Sequence, residues 1–269
     1  MVENSFVIDS HCHVYPEKIA DKAVAGTCNF YGLNAAGDGR ASTLVDMGKK
    51  AGIDHFIVQS VAMTPKQVSS INEFIAETVA NSNGTMTGLG TLHPESTDIC
   101  GDVNRIIELG LHGVKLHPDI QQFKIDDYRC LKIYELCERE GLPILMHTGD
   151  SRYDYSNPNR LLPVMQIYTE LTVIGAHLGG WSVWDDAINN LVGLPNLYVD
   201  CSSSFRFMRL EQARKVILAY GADRVLFGTD YPLWAPEREI SDLLSLGLSE
   251  KEKRMIFSEN AKKVYRINI

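Results

Sequence analysis

The sequence lacks any long hydrophobic run and any cluster of positive charge. None of its apolar stretches approaches the ~20 residues of a membrane-spanning helix. Residues 1–5 contain neither the basic region nor the hydrophobic stretch of a secretory signal. Its 26 Lys and Arg residues are outnumbered by 34 Asp and Glu residues, which gives a formal net charge of −8. These features argue against nucleic acids and anionic membranes as partners, and we expect a cytoplasmic protein.

Cysteine pairs with the spacing of a redox or zinc motif are also missing. The six cysteines, at positions 12, 28, 100, 130, 137 and 201, are scattered without a Cys-x-x-Cys pair. Free thiols in a cytosolic protein are the simplest interpretation. Cys12 lies between His11 and His13, but the alternation of side chains along a strand turns it to the opposite face. We therefore predict that Cys12 is a packing residue and not a ligand.

What the sequence does contain is an alternation of short apolar segments and amphipathic segments. Eight segments are nearly continuous in Val, Ile and Leu, which predicts strands buried on both faces: residues 6–13, 55–62, 87–93, 113–117, 143–148, 172–177, 197–201 and 225–230. Helical patterns separate them, at residues 42–51, 64–79, 98–109, 127–140, 159–169, 183–191, 210–220, 237–246 and 249–265. Capping boxes are predicted to open two of these helices, at Thr64 and Ser249.

Eight strands that are each followed by a helix predict a (β/α)8 TIM barrel, in one domain spanning residues 1–269. The alternative is a doubly wound open sheet, which usually has fewer strands. In a barrel, the C-terminal ends of all strands open onto one face, where active sites are built. Residues 14–40 follow the first strand and lack clear periodicity, so we predict a long lid or substrate loop at that face. A passive insertion is the alternative.

Potential metal ligands lie at the ends of four predicted strands. His11 and His13 are two residues apart and therefore share a face, while His147, His177 and Asp230 end three later strands. Four imidazoles and one carboxylate suit Zn²⁺, Mn²⁺ or Fe²⁺ and are too rich in nitrogen for Ca²⁺ or Mg²⁺. An ion with an open position lowers the pKa of bound water to about 7. We predict that Asp230 is both ligand and proton acceptor, and that His177 is a ligand or orients the substrate.

Three further residues are predicted to face the same end of the barrel. Lys115 and His117 share one face of the predicted fourth strand, and His93 ends the third. A buried lysine beside a cation is unfavourable unless it is neutral, chemically modified or paired with a carboxylate such as Asp9. We expect His93 and His117 to line the substrate pocket and Lys115 to take part in catalysis.

Charged residues near other strand ends complete the predicted site. Arg152 and Arg206 follow later strands and would bind a carboxylate of the substrate. Asp9 and Asp200 are predicted to orient histidines from behind.

Five motifs occur in order along nearly the whole chain: IDSHCH at residues 8–13, GVKLHP at 113–118, LMHTG at 145–149, GAHLGG at 175–180 and LFGTDYP at 226–232. As an ordered set, they resemble the amidohydrolase superfamily. The resemblance is to the amidohydrolase-related group that includes aminocarboxymuconate semialdehyde decarboxylase and many metal-dependent hydrolases.

This resemblance implies a divalent metal bound by four ligands, His11, His13, His147 and Asp230. His177 would lie beside the metal. In several members of the superfamily, a lysine at a position similar to Lys115 is carboxylated and bridges two metals. The His117-Pro118 pair is more similar to the subgroup that uses a single metal. We therefore expect one ion, with zinc favoured over manganese or iron.

Two enzymatic functions are consistent with these residues. The first is a metal-dependent hydrolase of an amide, lactone or ester, with Asp230, His177 and Lys115 as its catalytic residues. The second is a metal-dependent, non-oxidative decarboxylase of a small carboxylic acid, and fold-level analogy does not choose between the two. A metal-binding scaffold without activity would leave the open coordination position and Asp230 without a role. The expected partner is a small-molecule substrate, with anionic molecules among the candidates. The sequence does not decide whether the protein forms a homo-oligomer.

Overall fold

The computed structural model describes residues 6–269. Short parallel strands alternate with helices, and the strands are β1 Ile8–His13, β2 His55–Gln59, β3 Met86–Gly88, β4 Gly90–Thr91, β5 Val114–Leu116, β6 Ile144–Met146, β7 Val173–Gly175, β8 Leu197–Asp200 and β9 Val225–Leu226. The α-helices are α1 Ala20–Tyr31, α2 Ala41–Ala51, α3 Val68–Ala80, α4 Ile99–Glu108, α5 Pro118–Gln121, α6 Leu131–Glu140, α7 Pro158–Ile167, α8 Trp184–Leu191, α9 Leu210–Tyr220, α10 Pro236–Leu244, α11 Glu250–Arg254 and α12 Asn260–Tyr265. Short 3₁₀ turns lie at Pro65–Gln67, Tyr128–Cys130 and Ala222–Arg224, and a π-helical turn at Met255–Glu259 joins α11 to α12.

The strands form a barrel in which each strand pairs with its neighbours in chain order. Strands β1 to β3 pair in one run and β4 to β9 in another, all in parallel. At Leu89 the chain passes between the two runs, because Leu89 N–H donates to the carbonyl of Val58 and the next amide donates to Gly113. The first and last strands meet where Ser10 N–H donates to the Phe227 carbonyl at 2.8 Å. The predicted (β/α)8 barrel is therefore confirmed, with its third strand divided in two.

Two apolar layers hold the barrel together. The larger layer packs the outer faces of the strands against the helices and includes Cys12, which is fully buried, as predicted for a packing residue. The smaller layer contains side chains from alternate strand positions, such as Ile57 and Leu145, together with Tyr265 of α12. These strands form because β-branched and leucine side chains are buried on both faces.

Most predicted helices are present with bounds that differ by a few residues, and α9 Leu210–Tyr220 agrees in full. The capping boxes at Thr64 and Ser249 are both formed. The prediction of a loop over residues 14–40 was wrong in part, because α1 occupies the middle of that segment and is followed by Gly32, whose φ is 67°. The short helix α5 was not predicted. Among residues 6–269, no helix combines the length and apolar character that crossing a bilayer requires.

Candidate active site

A cavity of about 480 Å³ opens at the C-terminal ends of the strands. The polar side chains at its base are His11, His13, Lys115, His117, His147, His177, Ser203 and Asp230. The walls are mainly apolar and aromatic, with Tyr31, Val61, Trp181 and Phe207 among them. Helix α1 supplies one wall, so the 14–40 segment lies at the mouth of the barrel where the sequence analysis put it.

Three of the predicted ligands converge on one point. The Nε2 atoms of His11 and His13 lie 3.2 Å apart, and Asp230 Oδ1 lies 3.4 Å from the first and 3.6 Å from the second. An ion about 2.1 Å from each atom in tetrahedral geometry would separate its ligands by ~3.4 Å. Burial lowers the pKa of His13 well below its ordinary value, so the imidazole is neutral, as a ligand must be. His11, His13 and Asp230, which we call the ligand triad, therefore fit a divalent ion.

The hydrogen bonds of His11 fix which of its nitrogens faces the triad. Its Nδ1 lies 2.9 Å from Asp200 Oδ2, so the ring donates from Nδ1 and presents the Nε2 lone pair to the triad. Burial would raise the pKa of Asp200, but the neighbouring His11 and His177 hold it below the ordinary value. Asp200 thus occupies the orienting position that the sequence predicted. Asp9 does not, because its carboxylate accepts from the amide and hydroxyl of Thr229.

The backbone at two site residues helps to aim their side chains. Asp230 and His177 both have a φ of 60°, in the left-handed region that non-glycine residues rarely adopt. Such strain, which costs about 1–3 kcal/mol per residue, concentrates at functional sites. The second oxygen of Asp230 accepts from Ser203 Oγ at 2.6 Å, and His11, His177 and this bond together outweigh burial and lower the pKa of Asp230.

Lys115 lies inside the barrel against the triad. Its Nζ is 3.0 Å from His11 Nε2, and the residue is fully buried. Burial lowers its pKa to about 8, although the charges of Asp230 and Asp200 act in the opposite direction. The suggested pairing with Asp9 is not formed, since Asp9 is held by Thr229 as described above.

His147 and His177 form a separate hydrogen-bonded chain beside the triad. His177 donates from Nδ1 to the Ser202 carbonyl at 3.1 Å, which leaves its Nε2 to accept from His147 Nδ1 at 3.0 Å. The remaining nitrogen of His147 faces Tyr31 Oη at 3.5 Å and Asp119 Oδ2 at 3.5 Å. The structure therefore does not gather all five predicted ligands into one group, because this hydrogen bond turns the two rings toward each other.

A second group of potential ligands contains His117, His147 and the buried Asp119. The rings of His117 and His147 stack with centroids 3.9 Å apart and planes only 8° from parallel. An imidazole nitrogen binds a metal ion that lies in the plane of the ring. The two stacked planes are separate, so one ion bound by both residues would lie well out of the plane of at least one ring. This arrangement favours a hydrogen-bonded group around Tyr31 Oη, which lies 2.8 Å from His117 Nε2.

Three residues predicted to bind substrate lie outside the cavity. The His93 ring accepts from the Glu95 amide. Arg206 pairs with Glu239 at 3.1 Å and with Asp242. Arg152 makes two hydrogen bonds to Asp150 at 2.9 and 2.7 Å and donates to the carbonyl of Phe30 at 2.7 Å.

The prediction of cavity contact is therefore corrected for these three residues, since their own partners already hold them. Of the predicted substrate-binding residues, His117 alone lines the cavity. The cationic residues that line the cavity are Lys22 and Lys115.

The sequence analysis did not identify four polar residues of the site: Tyr31, Asp119, Ser202 and Ser203. Asp119 follows His117 by two residues, and Ser202 and Ser203 follow the end of a predicted strand. Their positions in the sequence therefore indicated the face of the barrel where the site lies. Tyr31 lay in the segment taken for a loop and carried no local signal.

The chain matches one family profile over nearly its whole length and a curated protein over a short segment. Residues 8–267 match the family profile described as amidohydrolase. The chain belongs to the amidohydrolase family. A segment of 79 residues is 30% identical to 2-amino-3-carboxymuconate-6-semialdehyde decarboxylase of Dictyostelium discoideum. That match covers 29% of this chain and 22% of the relative.

Solved structures share the fold of this chain over nearly its whole length. An uncharacterised TIM-barrel protein from Bordetella bronchiseptica is similar with a TM-score of 0.79 and 21% identity, covering 97% of this chain and 98% of that one. The 5-carboxyvanillate decarboxylase of Sphingomonas paucimobilis gives 0.76 and 16%, covering 98% and 100%. A dihydroxybenzoic acid decarboxylase of a Polaromonas species, with bound manganese and 2-nitroresorcinol, gives 0.76 and 17%, covering 98% of each chain.

Proposed function

We propose that this member of the amidohydrolase family is a metal-dependent, non-oxidative decarboxylase of a small carboxylic acid with a flat, apolar body. The observation that carries the proposal is one cavity with a ligand triad at its base and aromatic walls above it. The similar solved structures that are named decarboxylases support this choice over hydrolysis. The sequence analysis had placed the hydrolase first.

The residues at the base and walls have distinct proposed roles. The ligand triad would hold the ion, which when bound supplies a positive charge that attracts the substrate's oxygens and stabilises developing negative charge. Lys115 adds a buried positive group beside the triad. Trp181 and Phe207, whose rings meet edge to face at 5.3 Å, form a wall that limits water around the carboxylate. Loss of CO₂ disperses the carboxylate charge, so it is favoured where water is excluded.

The chemical step requires a proton and no oxidant. The bond between the substrate carbon and its carboxyl carbon breaks, and the electron pair stays on the substrate carbon. CO₂ leaves, and that carbon takes one proton. Asp230, His177 and Lys115 lie at the base of the cavity. Asp230 and Lys115 are the groups proposed to hold and deliver this proton, and His177, whose Nε2 accepts from His147, is proposed to position that ring.

We further propose one divalent ion per chain. The near-parallel rings of His117 and His147 argue against a second ion at their group. Manganese is present in the similar Polaromonas enzyme, whereas the triad also suits Zn²⁺, so both ions are candidates. An anionic small molecule as the substrate fits the positive charge at the base.

A hydrolase is the second candidate, because the matched family is described as amidohydrolase. The experiment that separates the two uses the metal-loaded protein with panels of aromatic and dienoic acids, lactones, esters and amides in deuterated water. Decarboxylation releases CO₂ and places one deuterium on the carbon that lost it, as read by mass spectrometry and NMR. Release of acid without CO₂ would replace the decarboxylase proposal with the hydrolase. Absence of both would overturn both proposals.

A further inference from the structure

We propose that Tyr31 of α1 is a substrate-contacting residue whose hydroxyl donates a hydrogen bond to an oxygen of the substrate, and that Arg152 is the positioning residue that holds it there. The inference rests on the proposed function only in placing the substrate in this cavity. The hydroxyl would serve a hydrolase equally.

Helix α1 presents one face to the cavity. The residues on that face are Lys22, Ala23, Gly26, Thr27, Phe30 and Tyr31. Their spacing of three and four residues is that of one side of a helix. Tyr31 is the last residue of the helix, and there its side chain reaches the histidines at the base.

The hydrogen bonds of His117 determine what the Tyr31 hydroxyl can do. The Ile120 N–H donates to His117 Nδ1 at 3.4 Å, so in the neutral ring the proton resides on Nε2. That Nε2–H donates to Tyr31 Oη at 2.8 Å. The hydroxyl proton of Tyr31 is then free to point elsewhere, and His147 Nε2, at 3.5 Å, is too distant for a strong bond. Tyr31 is thus a preorganised donor that faces the cavity.

Arg152 fixes the end of α1 that carries Tyr31. Its Nη1 donates to the carbonyl of Phe30 at 2.7 Å, and its guanidinium lies 5.1 Å from the Tyr31 ring centroid. The same guanidinium lies 5.5 Å from the ring of Trp181, which meets Tyr31 edge to face at 5.2 Å. Asp150 holds the arginine with two hydrogen bonds. Arg152, predicted from the sequence to bind substrate, is therefore placed to act through Tyr31.

Two features of this arrangement point to a ligand oxygen. The donor is held rigidly by Arg152, Trp181 and His117, and preorganised donors of this kind bind or stabilise oxygens of a reacting molecule. The ring of His177 stacks on that of His11 of the triad with centroids 5.3 Å apart, and His147 connects His177 to Tyr31. Tyr31 and the triad line the same cavity, so a substrate held at the triad is proposed to present a second oxygen to Tyr31. The class implied is an acid with a hydroxyl or carbonyl oxygen in addition to its carboxylate.

The test measures binding of benzoate and 2-hydroxybenzoate to metal-loaded wild type and Tyr31→Phe by calorimetry. Wild type should bind 2-hydroxybenzoate more tightly than benzoate, and Tyr31→Phe should weaken that binding about tenfold, the loss of one hydrogen bond. The matched control is Tyr153→Phe, since Tyr153 stacks on Phe30 but does not line the cavity. Affinity in that control should stay within twofold of wild type.

Two readouts separate contact with the ligand from a structural role. Tyr31→Phe should keep its metal content and the amide hydrogen exchange of α1 unchanged. Arg152→Gln should weaken 2-hydroxybenzoate binding and speed exchange in α1, while Arg160→Gln, whose partners are Asp126 and Asp154, should do neither.

Equal affinity of wild type and Tyr31→Phe would overturn the proposal. So would weaker binding that accompanies lost metal or faster exchange in Tyr31→Phe, and so would wild type that binds neither acid. The expected binding differences together with no CO₂ release from any acid of the panel described under the proposed function would keep the role of Tyr31 and overturn the decarboxylase proposal.

Discussion

The Nδ1 atom of His11 lies 2.9 Å from Oδ2 of Asp200, and both residues are buried. The other oxygen of the carboxylate, Oδ1, accepts from Ser202 Oγ, so both oxygens are held in place. Because a charged acceptor fixes the proton on Nδ1, the lone pair of His11 Nε2 stays directed at the ligand triad. The triad is therefore assembled by a carboxylate that never faces the cavity.

Asp200→Asn should lower metal affinity about 10- to 100-fold, the usual effect of losing a carboxylate behind a histidine ligand. Competition with a fluorescent chelator would measure the dissociation constant. The matched control is Asp46→Asn, an exposed aspartate of α2. An unchanged constant in Asp200→Asn would mean that the carboxylate does not orient His11.

His13→Ala should remove the metal and the stability that the metal confers. An ion that binds only the folded chain adds about 4 kcal/mol at a thousand times its dissociation constant. Addition of Zn²⁺ or Mn²⁺ should raise the Tm of wild type and leave that of His13→Ala unchanged. His93→Ala, outside the cavity, should respond as wild type does. Metal-dependent stabilisation that survives in His13→Ala would remove His13 from the triad.

Asp230→Asn should lower kcat about 10²- to 10⁴-fold, the range for a positioned acid or base. The amide keeps an oxygen toward His11 and His13, so a substantial part of the metal should stay bound. Metal content and turnover measured on one preparation distinguish the roles. Joint loss of both would make Asp230 mainly a ligand, and full turnover would exclude it from catalysis.

At pH 8, where Glu239 is mainly ionised, Arg206→Ala should lower the free energy of unfolding by about 3 kcal/mol, because it leaves this buried carboxylate without its charge partner. Its KM should match that of wild type, since Arg206 does not line the cavity. Urea denaturation and steady-state kinetics would test both statements. Arg209→Ala, whose side chain is 83% exposed, should be nearly neutral in both. A raised KM with normal stability would restore the prediction of substrate contact.

Glu239 should make stability depend on pH. Burial raises its pKa from 4.5 to about 7, although Arg206 opposes the shift. The folded chain therefore holds a proton that the unfolded chain releases, and this stability is present below about pH 4.5 and is lost as pH rises through about 7. Glu239→Gln should gain roughly 2–3 kcal/mol relative to wild type between pH 4.5 and pH 8. If the difference in the free energy of unfolding between Glu239→Gln and wild type did not change with pH, the raised pKa of Glu239 would be contradicted.

The barrel was predictable because its strands are buried on both faces. Segments such as 143–148 and 172–177 are apolar without alternation, and His147 and His177 lie at or next to their C-terminal ends, at the barrel's open face. Leu89 marks the limit of that reasoning. Nothing in the residues around Leu89 indicates that hydrogen bonding there passes from Val58 to Gly113.

Helix α1 was missed because its sequence is a poor helix pattern. Gly26 and Thr27 have low helix propensity, no side chain caps its start, and only Ala20 and Val24 are buried. Ala23, Phe30 and Tyr31 line the cavity and do not pack on the core. Periodicity detects a face that packs on a core, so a helix that borders an open cavity gives a weak signal.

The predicted substrate contacts of Arg152 and Arg206 were wrong for a different reason. Arg206 follows β8 and so lies at the correct end of the barrel, but Glu239 and Asp242 on α10 hold it away from the cavity. Arg152 is likewise held by Asp150 and by a backbone carbonyl. Sequence position gives the end of a strand on which a residue lies. It does not give the partner that satisfies the charge, since that partner comes from elsewhere in the chain.

Gly26 offers a way to redesign what the cavity accepts. A methyl group built on its α-carbon meets no atom within 4 Å, and the residue lies on the face of α1 that borders the cavity. Side chains of graded size at this one position would reduce the volume of the cavity stepwise, while the ligand triad, on β1 and in the segment after β9, stays unchanged. Engineering of selectivity in this barrel can thus be separated from engineering of its chemistry.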